Sequence, residues 1–433
     1  MNGFMIAAPS SGAGKTTIML GLLRALERMN VALTPVKSGP DYIDPAYHQA
    51  ASDAESFNLD SWAMRPELIS AVSSRITEGG KLLVVEGRKG LFDGATATEG
   101  SSAELAQLLG LPVILVVDCE NLTHSVAAIV AGFSQFRRNV LIAGVVLNRV
   151  ISDRHETMLR TALEPSGIPV LGALPFDLGL TLPVISAGKL GAEAEIALEE
   201  FLNHAATVIE THMDLQMLRH IWQGTKRLPA MANVTRLPPL GSRIAIAKDE
   251  AFAFAFAHIF EAWRRRGAEL HFFSPLLDEA PKPDADAIYL PGGYPEIFAA
   301  RLAASQRFRD GMREAAARGT TIYGEGGGYM VLGDGLTDKL GVRHQMLGLL
   351  PVETSVKESA EYSGYRELEP LEGGPWTTTL RGHECHHARL ISEQSTQALF
   401  KVRDESGNEL GYIGHRIGNV SGSFVRVMDI AGE

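Results

Sequence analysis

Met5-Ile6-Ala7-Ala8-Pro9-Ser10-Ser11-Gly12-Ala13-Gly14-Lys15-Thr16-Thr17 leads a short apolar run into an amphipathic segment. Phe4–Ala8 has the apolar continuity of a buried strand, and Thr17–Leu26 opens a helix with a strong apolar face. Between them, Ala7–Thr17 reads as a phosphate-binding loop. Strand, tight loop and helix start in that order aim backbone N–H groups and the positive helix end at one point, where a polyphosphate can sit. Ser11, Gly12, Ala13, Gly14, Lys15, Thr16 and Thr17 are then the nucleotide-contacting residues. Lys15 would reach the terminal phosphates and the Thr16 hydroxyl would hold Mg²⁺. Pro9 stands five residues before Gly14, where the usual pattern has glycine.

The strand-then-helix alternation continues to about residue 200. Ala32–Lys37, Leu82–Glu86, Val113–Asp118, Ala143–Asn148 and Val170–Leu174 are short and largely apolar, with helical segments such as Ala103–Leu109 and Ser125–Phe136 between them. Apolar strands with helical crossovers predict an α/β fold, a doubly wound parallel sheet covered on both faces. Residues 206–240 change character: Ile209–Trp222 reads as helical, and Gly224–Pro239 lacks periodicity, so the segment reads as a linker. Alternation resumes at Arg243–Ala247. A helix is expected over about Ala253–Arg266, strands at Glu269–Phe273, Ala287–Leu290 and Thr321–Tyr323, and a helix at Gln306–Ala317. Two domains, 1–205 and 241–433, follow, in keeping with a chain of 433 residues that is too long for one core.

Hydrophobic residues make up 45% of the chain and charged residues 21%, the balance of a globular protein. A net charge of −11 argues against a nucleic-acid partner. It leaves room for an anionic small ligand at a local cluster of cations. No apolar run approaches the roughly 18 residues of a membrane span. Two cysteines, Cys119 and Cys385, cannot form a disulfide framework, and a cytoplasmic setting is expected.

Parallel sheets bind ligands at the carboxyl ends of their strands, and polar residues follow each strand here. Lys37-Ser38-Gly39-Pro40-Asp41-Tyr42-Ile43-Asp44-Pro45, with two prolines and two aspartates, predicts a fixed loop rather than a helix. Glu86 ends a strand where an acidic residue can order Mg²⁺ and its waters. Gly87-Arg88-Lys89-Gly90-Leu91-Phe92-Asp93-Gly94 follows it. Asn148 ends a further strand, where its amide could read a purine edge or cap a helix.

These stretches, with Asn58-Leu59-Asp60, Ser274-Pro275-Leu276, Leu290–Glu296 and Gly382-His383-Glu384, resemble the corrin-ring a,c-diamide synthases of cobalamin biosynthesis. The resemblance spans nearly the whole chain. It implies an N-terminal ATP-dependent amidoligase related in fold to dethiobiotin synthetase, and a C-terminal class I glutamine amidotransferase-like domain. A corrinoid polycarboxylate is the implied substrate, ATP and Mg²⁺ the cofactors, and a homodimer the implied assembly. Lys15 and Lys37 would neutralise charge, and Thr16, Asp41 and Glu86 would contact Mg²⁺. Asp44 and Asp93 would orient the acceptor carboxylate or the attacking amine, and Tyr42 would shape the pocket. Arg88 and Lys89 depart from the apolar pair usual in the family, and either touch phosphate or a substrate carboxylate or lie on a solvated loop. Phe252-Ala253-Phe254-Ala255-Phe256 departs from an aromatic-proline run and favours a metal-free macrocycle. The alternatives are a non-catalytic ATP- or corrinoid-binding paralogue and an amidoligase acting on another tetrapyrrole polycarboxylate.

Two positions break the resemblance. The family's nucleophile elbow reads Glu-Cys-Gly-Gly, whereas here Glu325-Gly326-Gly327-Gly328 puts Gly326 at the place of the sulfur. Without a side chain no glutamyl thioester can form. The family's general-base His falls at Arg426, whose guanidinium stays protonated and cannot take a proton from a thiol. Cys385, in His383-Glu384-Cys385-His386-His387, sits on an extended run and is expected to be an ordinary strand residue rather than a substitute nucleophile or a metal ligand. Cys119 is expected to be inert. The glutaminase is therefore expected to be dead, and the nitrogen to come from free ammonia or an external glutaminase.

Overall fold

The computed structural model describes residues 2–183, 192–223, 234–358, 361–393 and 397–432. Apart from 63–65, the described residues up to 223 belong to one compact unit, and residues 63–65 and those from 235 on to another.

The first unit is a seven-stranded sheet in the order β3-β2-β4-β1-β5-β6-β7, parallel at every pairing. Its elements are β1 (Gly3–Ala7), α1 (Lys15–Arg28), β2 (Leu33–Ser38), α2 (Asp44–Ser52), β3 (Phe57–Leu59), α3 (Pro66–Ile76), β4 (Leu82–Glu86), α4 (Ser102–Leu109), β5 (Val113–Asp118), α5 (Ser125–Phe136), β6 (Ile142–Val150), α6 (Asp153–Leu163), β7 (Val170–Pro175), α7 (Ala192–His212) and α8 (Leu215–Gln223). Alternate residues of a strand face opposite ways. Phe4 and Ile6 of β1 meet Met19 and Leu22 of α1, Leu202 and Ile209 of α7 and Trp222 of α8 in one core. The Phe4 and Trp222 rings stack at 5.7 Å.

This packing corrects the expected linker, because residues 206–212 and 215–223 are helices of the first unit. Trp222 and Leu218 find an apolar surface there, and burial rather than local composition decides their place. Residues 224–233 lie outside the described residues. The expected loop after β2 is also corrected: α2 begins at Asp44, with Pro45 in its first turn. Proline is welcome there because that turn's N–H has no intrahelical partner anyway.

The second unit carries a ten-stranded sheet, β21-β16-β15-β18-β19-β20-β11-β10-β8-β9, and a four-stranded one, β13-β12-β14-β17. The strands are β8 (Arg243–Ala247), β9 (Glu269–Phe273), β10 (Ala287–Leu290), β11 (Thr321–Glu325), β12 (Gly335–Thr337), β13 (Arg343–Gln345), β14 (Val352–Ser355), β15 (Tyr362–Pro370), β16 (Leu380–His386), β17 (Arg389–Glu393), β18 (Gln397–Arg403), β19 (Glu409–Ile417), β20 (Val420–Ser423) and β21 (Val425–Ile430). The helices are α9 (Ala257–Arg265), α10 (Ala299–Ala304), α11 (Gln306–Ala317) and α12 (Gly327–Leu332). Helix α9 starts four residues later than expected, after a short 3₁₀ turn at Glu250–Phe252. Among the described residues no helix is long and apolar enough to cross a membrane.

Candidate active site

The loop from β1 to α1 has the conformation its glycines permit. Gly12 and Gly14 have φ of 83° and 88°, a region open to glycine at little steric cost. Lys15 Nζ donates to Ser10 O at 3.1 Å, across the loop. The Thr16 hydroxyl donates to Glu86 Oε1 at 2.6 Å, tying the loop to the end of β4. Thr17 Oγ1 reaches Leu180 O at 3.4 Å. The Asn148 amide donates to Ala13 O at 2.9 Å, and a Cβ at Gly14 would stand 2.2 Å from its Nδ2. Asn148 thus pins the phosphate loop from β6 through its side-chain amide.

Lys37, from β2, is buried between two carboxylates, 2.5 Å from Asp44 Oδ2 and 2.9 Å from Glu86 Oε1. Burial pushes its ammonium down, but Glu86 and Asp44 outweigh burial and hold it above the usual lysine range. Glu86 is fully buried. Burial pushes its carboxyl up, yet Lys37, His48 and the Thr16 hydroxyl hold it well below the carboxylate range. Burial and the neighbouring Glu86 raise Asp44 to about 6 against the pull of Lys37. Lys15 is lowered, chiefly by burial, against the attraction of Glu86. Lys15, Thr16, Lys37, Asp44 and Glu86 therefore form one connected polar centre at the carboxyl ends of β1, β2 and β4.

Two residues to which the sequence assigned no role complete it. His48 Nε2 lies 2.7 Å from Glu86 Oε2, with both side chains fully buried. The Asn58 amide donates to Gly39 O at 2.9 Å and Asp41 O at 2.7 Å, fixing the turn after β2. Asp41 Oδ1 accepts from the Ile43 and Asp44 N–H groups at 2.9 and 3.0 Å, which caps α2. Tyr42 is half-buried in the same turn. Asp93 Oδ2 accepts from Gly90 N at 2.9 Å and braces the loop after β4. Lys89 is exposed, with a left-handed φ of 49°, and the Arg88 side chain packs over Gly39.

The elbow of the second unit keeps its backbone. Gly326, between β11 and α12, has φ 52° and ψ −115° and donates its N–H to Ser423 O at 2.9 Å. A Cβ there would meet Gly292 Cα at 3.5 Å and the Arg426 Cδ and Nε at 4.0 Å, so there is space for a side chain. Arg426 lies buried against this position, with Nη2 donating to Cys385 O at 2.9 Å and the guanidinium 5.6 Å from the Phe254 ring centre. Glu325, before the elbow, accepts from Tyr289 Oη at 2.7 Å and Val427 N at 3.1 Å. Burial pushes its carboxyl up to about 7. Cys385 is half-buried on β16. Among the described residues no group of three or more His, Cys, Asp and Glu could hold a metal. Burial pushes the Cys119 thiol up to about 12, which disfavours its thiolate.

A phosphate-loop unit followed by an elbow-bearing α/β unit is the organisation of two-domain amidating enzymes. Residues 4–183 match the CobQ/CobB/MinD/ParA nucleotide binding domain, and residues 243–428 the CobB/CobQ-like glutamine amidotransferase domain. The chain is 63% identical to the hydrogenobyrinate a,c-diamide synthase of Brucella anthropi over the whole of both chains. It is 49% identical to that of Rhizobium meliloti, again over the whole of both. The Rhodobacter capsulatus protein of the same name is 44% identical over 98% of each. The chain belongs to the hydrogenobyrinate a,c-diamide synthase family, a family of ligases.

Proposed function

We propose that this protein amidates the a and c side-chain carboxylates of a corrinoid such as hydrogenobyrinate, using ATP and ammonia that it does not make itself. A carboxylate is a poor acyl donor. In the first step a carboxylate oxygen bonds to the γ-phosphorus of ATP and the bond to ADP breaks. In the second, the ammonia nitrogen bonds to the acyl carbon, inorganic phosphate leaves and a proton is lost. The site mainly has to position two anions and offset their charge. Lys15 serves the terminal phosphates, and Lys37 faces the incoming oxygen. Asp44 and Asp93 orient the acceptor or the amine, and Tyr42 bounds the pocket.

The Thr16 hydroxyl donates its hydrogen bond to Glu86, so its lone pairs remain for a cation, and that donor chemistry suits Mg²⁺ held jointly with phosphate oxygens. Bound there, Mg²⁺ would supply charge neutralisation. Both Glu86 oxygens already accept hydrogen bonds, so Glu86 orients Thr16 more than it binds metal directly. Asp41, with one oxygen spent on α2, has the other available.

The observation that carries this proposal is the linked set Thr16–Glu86–Lys37–Asp44, with Lys15 next to it in the phosphate loop, together with the glycine and the arginine at the two elbow positions of the second unit. The test is ADP formation from MgATP. It should require hydrogenobyrinate and yield amide when ammonium is added. ATP and macrocycle that bind without forming amide under any nitrogen source would mark a binding protein instead.

A further inference from the structure

Helix α5 buries only Val126 and Val130 of its residues. Its outer face carries Ala128, Ile129, Gly132, Phe133 and Phe136, and Phe136 is 69% exposed. Exposed aromatic side chains on a helix next to a reaction centre forgo the burial they would gain in a core, so a ligand-covered surface is the economical explanation. Here they are also organised. Phe92, from the loop after β4, stacks on Phe133 at 5.3 Å and tilts against Phe136 at 4.8 Å. With Pro9 they line a concavity of about 490 Å³.

The concavity is continuous with the phosphate site. Pro9 belongs to the phosphate loop. Leu91, the neighbour of Phe92, is fully buried and donates its N–H to Ala8 O at 2.9 Å. Gly90 approaches so closely that a Cβ there would stand 2.6 Å from Pro9 O. Phe92 is thus fixed to the backbone that enters the phosphate loop, and Asp93 follows it directly. Cations border the apolar floor: the Arg137 guanidinium carbon lies 5.9 Å from the Phe92 ring centre, and Lys89 is exposed on the same loop as Phe92. An apolar floor with a cationic border suits a ligand with an apolar body and several peripheral carboxylates.

We propose that Phe92, Phe133 and Phe136 form a shelf for the apolar face of the macrocyclic substrate and orient it so that a peripheral carboxylate enters the phosphate site. This rests on the amidoligase function proposed above. The three rings are positioning residues, without a part in bond making.

The test is steady-state amidation of hydrogenobyrinate with MgATP and ammonium by the full chain, compared with Phe133→Ser/Phe136→Ser and the conservative Phe136→Leu. Because the replaced rings are outside the core, the variants should fold, which circular dichroism checks. The double variant should raise KM for the macrocycle about tenfold or more, with kcat within about twofold and nucleotide affinity unchanged, and Phe136→Leu should recover most of the loss. Unchanged KM in a folded double variant overturns the shelf and leaves the amidoligase proposal standing. A change in sedimentation mass with unaltered kinetics also overturns it, by making this face a contact between copies of the chain. Absence of amide with the unaltered protein would sink the amidoligase proposal and the shelf together.

Discussion

The two units use the same device, a strand running through a tight loop into a helix, and differ in what stands at the turn. In the first unit Lys15 and Thr16 follow Gly14 and are tied to Glu86, Lys37 and Asp44, groups whose charges are costly to bury singly and tolerable together. In the second unit the strained turn survives, with a glycine at its apex and an arginine alongside it. Close backbone approach at Gly327 and Gly328 keeps that turn tight: a Cβ at Gly328 would stand 2.0 Å from Leu290 O, so the packing of the elbow helps hold the domain together whether or not a thiol is present.

The contrast can be broken from either side. The largest expected effect is in the first unit. Lys37→Met removes the charge between Glu86 and Asp44, and should cost about 3–5 kcal/mol of stability for the uncompensated carboxylates. Ammonia-dependent turnover should fall by roughly a thousandfold or more. Denaturant unfolding and initial rates check the two parts separately.

Next comes a gain in the second unit. Gly326→Cys combined with Arg426→His should create measurable glutamine hydrolysis where the unaltered protein is expected to show none, while either change alone should not, because nucleophile and base act as a unit. Glutamate release is the readout. Trp222→Ala should lower the stability of the first unit by about 3–5 kcal/mol if α8 belongs to its core, and should leave the second unit's unfolding transition in place.

A pH series sharpens the comparison further. Asp44 takes up a proton below about pH 6, which breaks its pair with Lys37. ADP formation should therefore decline as pH falls through that value, and Asp44→Asn should flatten the profile at a lower rate. The stability effect has the opposite sign. A carboxyl raised in the folded state binds more protons there than in the unfolded chain, so this group's contribution is lost as pH rises from the ordinary aspartate range through about 6. The smallest effect is Asn148→Ala: with one hydrogen bond to the phosphate loop removed, nucleotide affinity should weaken roughly fivefold.

The sequence carried the phosphate loop and the strands of the first sheet, because apolar runs and glycine spacing are local signals. It also shows a glycine and an arginine at the two elbow positions, which are visible without coordinates. What it hid depended on tertiary contact. His48 gave one faint signal, its spacing of four residues from Asp44, and that counts only once α2 is known to be a helix. Pro45 and the two aspartates looked like loop formers because their composition suits a turn and a helix start alike. Helix α8 read as linker because the surface that Trp222 covers lies on β1, more than two hundred residues earlier. The sequence puts Asn148 at a strand end, but its partner, Ala13 O, is a loop carbonyl that no local pattern marks.

The central claim is that acid activation and nitrogen supply have been separated in this chain. Its most direct test is incubation of the purified protein with MgATP, hydrogenobyrinate and either ¹⁵N-ammonium or amide-¹⁵N-glutamine, with the product read by mass spectrometry. The account predicts label in the new amides from ammonium, and neither label nor glutamate from glutamine. Labelled amide from glutamine, accompanied by stoichiometric glutamate, would contradict it.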